Sequence, residues 1–281
     1  MRLTTQITLI KREQINQMLQ HDLLLFILSG ITAGAVLGII GAGSGIIAVV
    51  ILVYLLGMPI HQSIAIALFN TGISALFSTI SNAINKKLDI QLILKILIPS
   101  LIFAPIGTEL GLFLDPVILE ILYSLLTLVI GFIMWKDSNR ENIIQSQVKE
   151  IAQNFKRKTI LKYLAVGSLT GFLSGFLGFS GGIIIVPGLV ILLKQPIKSA
   201  TLNSIAIIAV TSLFSIASHS YMGNSVSLKI AISFSIGGII GIFVGNKLQE
   251  TISGTYVKRF FAIFLLTLGG FILARKILII L

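Results

Sequence analysis

The chain has 281 residues, of which 55% are hydrophobic and only 11% charged, and its mean hydropathy is +1.01. This composition is that of a polytopic membrane protein and leaves no length for a separate soluble domain. The formal charge of +11 does not mark a nucleic-acid binder, because no soluble basic face exists to carry it, and the absence of cysteine excludes disulfides, thiol catalysis and cysteine metal sites.

Residues 1–22 are a charged N-terminal tail without a clear small-residue cleavage pattern, expected to be retained as an interfacial segment. The first hydrophobic stretch, Leu23 to Leu56, would measure about 50 Å as one helix, too long for a single upright span. Gly30, Gly34, Gly38, Gly41 and Gly45 form a ladder along it. A break at Gly41 to Gly45 divides it into a helix and a half-helix that ends at the Gly57-Met58-Pro59 turn. Ser63 to Ile84, Ile90 to Leu114 and Val117 to Trp135 read as further spans, so that 23–135 forms a first membrane repeat.

Residues 136–162, rich in Lys, Arg, Asn and Gln, are a polar linker expected on the cytoplasmic side. In the second repeat, 163–281, the ladder returns as Gly167, Gly171, Gly175, Gly178 and Gly182. The offset from Gly30 to Gly167, 137 residues, holds for every rung and carries Pro59 onto Pro196. A broken segment from Tyr163 to Leu193 is followed by spans near Ala200 to Ala217, Val226 to Leu248 and Phe260 to Leu281. The expected fold is an all-α integral membrane protein of about eight hydrophobic helical units. They form two repeats of four, the first helix of each broken at a Gly-rich segment. Such paired, interrupted segments point to a transporter site at a repeat interface.

Two threadings put equal numbers of Lys and Arg inside: one in which every unit crosses once, and one in which each broken segment enters and leaves on the same side. In the hairpin threading every outside loop between units is free of Lys and Arg, and matching loops of the two halves alternate in antiphase. Inverted repeats should behave this way, and inversion is favoured. Lys229, near an outside loop, counts mildly against it.

The half-helices starting at Ile46 and Ile183 would present unpaired N–H groups and a positive dipole end. Gly43, Ser44 and Gly45, with Ser180, Gly181 and Gly182, are therefore candidate substrate contacts, small enough to let an anion reach the backbone. The other ladder glycines are read as helix packing. Asn70, Ser74, Ser78 and Ser81 share one helical face, as do Ser204, Thr211, Ser215 and Ser218. These stripes suit either a polar cavity wall or interhelical hydrogen bonding. Asn70, Asn203 and Ser204 join the candidates because they lie nearest the breaks. Glu109, the only acid well inside an apolar segment, is a candidate for proton coupling, although it lies close to a span's end. Lys95, His61 and His219 read as boundary residues, and the scattered histidines give no metal spacing. The run Gly41-Ala42-Gly43-Ser44-Gly45 lacks the Gly-Lys-Ser/Thr of a phosphate loop, no catalytic constellation appears, and nothing calls for a cofactor.

The paired ladders, the stretch GFLGFSGGIIIVPGL from Gly175 to Leu189, and the short turn to a Ser/Thr-containing helix after each break resemble the sulfite exporter TauE/SafE family of membrane transporters. The resemblance covers nearly the whole chain. In the second half the Gly-Gly pair and Pro187 match the family's Gly-rich, Val-Pro pattern. The first half departs from it, with Ser44 in place of an expected glycine and Val50 in place of the proline. Ile66-Ala67 and Asn203-Ser204 stand where Thr-Ser would be expected. The resemblance implies movement of small anions, sulfur oxyanions or organosulfonates, across the cytoplasmic membrane. The expected partners are then a small anionic substrate and the lipid bilayer, with no nucleic acid and with a homo-oligomer left open. An anion channel, or a membrane assembly or lipid-modifying protein with a lateral groove, are the alternatives.

Overall fold

The computed structural model describes residues 23–40, 43–85, 88–138, 156–178, 182–193, 195–224, 226–251 and 254–280, which are helical with no strand among them. The first half comprises α1 (Leu23–Ile40), α2 (Ser44–Val50), α3 (Ile60–Asn85), α4 (Ile90–Phe113) and α5 (Pro116–Ser138). The second comprises α6 (Lys156–Leu177), α7 (Gly182–Pro187), α8 (Ile197–Tyr221), α9 (Leu228–Thr251) and α10 (Gly254–Ile280). Six of these are long and apolar enough to cross a membrane, and their outward faces carry rows of exposed Leu, Ile and Phe. Helix α6 begins at Lys156, inside the stretch read as linker.

Both expected breaks are present, and each short helix after a break is continued by a π-helical turn, Ile51–Leu55 in one half and Gly188–Leu192 in the other. The two turns fall at the 137-residue offset and repeat the same hydrogen bonds. Leu56 N donates to Ile51 O and Met58 N to Leu52 O, just as Leu193 N donates to Gly188 O and Gln195 N to Leu189 O. Only a left-handed residue turns the chain sharply enough to start α2: Gly43, at its N-cap, has φ 87°. Gly178, with φ 70°, ends α6.

The glycine ladders set which helices touch. A Cβ on Gly30, Gly34 or Gly38 would strike the α9 backbone at Phe234, Gly238 and Ile242, and one on Gly167, Gly171 or Gly175 would meet α4 at Ile96, Ser100 and Ala104. Contacts advance together along both chains, so α1 runs parallel to α9 and α6 parallel to α4, backbone against backbone. The ladder of each half packs on the fourth helix of the other half. Ser100 Oγ donates to Gly167 O at 2.9 Å within one of these seams.

Helix α3 also runs parallel to α9, with Asn70 and Ser74 over Gly238 and Ser78 beside Asn246. Since α1 and α3 point the same way, the chain between them must double back. The second half shows this return directly: Gly188 packs on Val166, and Lys162 Nζ donates to Leu192 O at 3.1 Å, so the segment after the break runs back along α6. Helices α3 and α8 cross antiparallel at Gly72 and Leu213, with Asn224 Nδ2 donating to His61 O at 2.9 Å. Helices α5 and α10 are antiparallel too, Gly131 lying on Leu265 and Leu266, and Gly269 on Leu128 and Ser124.

Candidate functional site

Helix α2 starts close to the middle of α3. Ser44, fully buried, shares a hydrogen bond of 2.9 Å with Thr71, near the centre of that 26-residue helix. The chain therefore places a helix start, a hydroxyl pair and a run of small residues at mid-depth, where lipid offers backbone no alternative partner. The N–H groups of Ile46 and Ile47 turn back to Gly43 O at 3.2 and 3.5 Å. The N–H groups of Ile46 and Ile47 are therefore not the free donors that a helix start at Ile46 implied.

One turn of α3 around this point is polar. Asn70 is fully buried, its Oδ1 3.5 Å from Ser74 Oγ, and both side chains occupy the space that the missing Cβ of Gly238 leaves on α9. Asn70 Nδ2 has no hydrogen-bond partner among the described residues. Further along the same face Asn246 Nδ2 donates to Ser78 Oγ at 3.5 Å. A buried amide donor without a partner costs about 1–3 kcal/mol, and natural proteins keep one where something else is to be bound.

The start of α2 is held from α5. Tyr123 Oη donates to Ile46 O at 2.9 Å, and at the far end of the segment Tyr54 Oη donates to Glu120 Oε2 at 3.0 Å. Gly45 O lies 3.5 Å from the same Tyr123 hydroxyl. At the offset of 137, Tyr123 corresponds to Phe260, so the matching hydroxyl is missing from the second half.

In the second half, Ser174 and Ser215 share a hydrogen bond of 3.0 Å between α6 and α8. One turn before each, Thr170 and Thr211 are buried with hydroxyls that no described group pairs, as is Ser212. His219, in the last turn of α8, is 1% exposed and joins helix ends. Its Nε2 donates to Gly175 O at 2.9 Å, since a carbonyl only accepts, which leaves Nδ1 to accept from Asn224 Nδ2 at 3.2 Å.

Of the residues singled out from sequence, Ser44, between Gly43 and Gly45, bonds Thr71, the residue after Asn70, and both Ser44 and Asn70 are fully buried. Gly182 is the buried first residue of α7, while Ser180 and Gly181 lie outside the described residues. Asn203 and Ser204 make other bonds: Asn203 Oδ1 accepts at 3.1 Å from the N–H of Asp89, the N-cap of α4, and Ser204 Oγ donates to Thr201 O at 2.8 Å within α8. Glu109 sits on the exposed face of α4, beside exposed Ile106 and Leu110. Its counterpart at the 137 offset is Asn246, which does meet α3. Thr71, Tyr123 and Gly238 were not foreseen; the Gly237-Gly238 pair was the one signal available.

The family model for the sulfite exporter TauE/SafE matches residues 26–272. A probable membrane transporter protein of Xylella fastidiosa is 26% identical over 262 residues, 91% of this chain and 97% of that protein. One of Methanocaldococcus jannaschii is 27% identical over 273 residues, 91% of this chain and 98% of its own length. One of Haemophilus influenzae is 39% identical over 103 residues, 32% of this chain and 39% of its own length. No solved structure matches the chain.

Proposed function

The chain belongs to the sulfite exporter TauE/SafE family and is a multi-pass transporter of the cell membrane, and from that premise we propose that it carries a small anion, a sulfur oxyanion or organosulfonate, by alternating access. The observation that carries the site is the unpartnered Nδ2 of Asn70, buried at mid-depth beside the Ser44–Thr71 pair. Gly43 and Gly45 beside Ser44 carry no side chain that would keep a ligand from the backbone, and in sequence Ser180, Gly181 and Gly182 correspond to Gly43, Ser44 and Gly45 at the 137-residue offset.

We take the halves, 23–135 and 163–281, as inverted repeats joined by a cytoplasmic linker at 136–162. The antiparallel course of α3 against α8 and of α5 against α10 supports this, because equivalent helices related by an axis in the membrane plane must run in opposite directions. The Lys and Arg of the linker put the end of the molecule where α5 stops and α6 starts on the inside.

The moving bodies are then not the sequence halves. Glycine seams lock α1 to α9 and α6 to α4, so each rigid unit contains helices from both halves, and the less tightly joined contact is the α3–α8 crossing at Gly72 and Leu213. Rocking about that crossing would open the Asn70 site to one side and then the other. The test is uptake of labelled sulfite, sulfate and a small sulfonate into proteoliposomes, with and without a pH gradient. Saturable uptake that is lost in Ser44→Leu and Gly182→Leu, with protein yield unchanged, is the expected result. Non-saturating flux would replace the transporter with a channel, and no flux of any anion would overturn the proposal.

A further inference from the structure

Building on that proposed site, we infer that the carried anion bears a single negative charge, and that dianions are rejected at the Asn70 site. The helices around it are free of formal charge through their middle depth. Between Leu23 and Leu56, and along α3 from Ile60 to Asn85, the chain has no Lys, Arg, Asp or Glu. The same is true from Ser199 to Ser227, and from Ile230 to Asn246 on α9.

Cations elsewhere in the spans are committed to other positions. Lys95 is exposed and lies over the Tyr163 ring at 5.4 Å, Lys162 holds Leu192 O, Lys229 is exposed in the first turn of α9, and Lys247 is exposed near its other end. The two histidines that face this region from the helix ends add no charge at mid-depth. His219 spends both ring nitrogens on Gly175 and Asn224, and His61 lies in the first turn of α3.

What the site does offer is neutral: the unpaired amide of Asn70, with the hydroxyls of Thr71 and Ser74 on the same helix and that of Ser44, which shares a hydrogen bond with Thr71. Neutral donors balance one delocalised charge. The desolvation cost of an ion grows with the square of its charge, so a dianion would lose about four times as much hydration and find no cation to replace it. A second full charge, unmatched at such a depth, adds a cost that the neutral donors do not offset.

Methanesulfonate and sulfate make the comparison directly, being of similar size and tetrahedral at sulfur but carrying one and two charges. In proteoliposomes at one pH, with the full chain, methanesulfonate is expected to enter saturably and sulfate at least about tenfold less efficiently. Asn70→Lys, which supplies the missing cation, is expected to shift the preference toward sulfate. Equal carriage of sulfate would overturn the single-charge inference while leaving anion transport intact. Failure of both anions and of sulfite to enter, with the protein folded and monodisperse, would overturn the inference together with the proposed function.

Discussion

Asn70 carries a cost that folding alone does not explain, an amide nitrogen buried in mid-membrane without a partner among the described residues. Asn70→Leu keeps the branched shape at a larger volume and removes the unpaired donor, so thermal stability in detergent should change little while flux falls by about tenfold or more. A parallel loss of both would make Asn70 a packing residue. Tyr123→Phe removes only the hydroxyl that reaches Ile46 O, and is expected to cost about 1 kcal/mol in stability, read as a lower melting temperature. Glu109→Gln, on an exposed face away from Asn70, should leave the pH profile of flux as it is, and a changed profile would bring proton coupling back to that carboxylate. Proximity to a glycine break selected Ser44 and Asn70 in the sequence, and both are fully buried. The same criterion selected Asn203, whose carbonyl instead accepts from Asp89 N, a residue 114 positions away. Helical spacing tells which face a polar side chain occupies, but not which neighbour will cover that face.

At the level of elements, the ladders were legible as packing surfaces because glycine at every third or fourth position has few other uses in a membrane helix. Their partners were not legible. Gly171 lies against Ser100 and Gly34 against Gly238, and nothing local in either ladder names a helix of the other half. The π turns at Ile51–Leu55 and Gly188–Leu192 were equally hidden, since they depend on a register shift of backbone hydrogen bonds and not on any residue type. Gly171→Val would drive a side chain into the Ser100 backbone and is expected to cost more than about 3 kcal/mol, seen as loss of monodisperse protein. Gly270→Val, where a Cβ meets nothing within 4 Å, is the control that should purify normally.

For the molecule as a whole, charge counting alone could not separate a single crossing from a hairpin at each break. The direction of α3 relative to α1 carries that information, through contacts each makes with α9. Because the chain lacks cysteine, single cysteines report sidedness without background. Cysteines at Met58 and Tyr221 should react from outside the cell, and those at Ile90 and Leu161 from inside. Met58 and Ile90 reacting from the same side would break the proposed topology. The most direct test of the central claim, that a small anion is carried by alternating access at the Asn70 site, is counterflow in proteoliposomes. Vesicles preloaded with unlabelled sulfite or methanesulfonate should take up a trace of the labelled anion faster than empty ones, and Asn70→Leu should abolish that acceleration. Uptake indifferent to preloading, or acceleration that survives in Asn70→Leu, would contradict the claim.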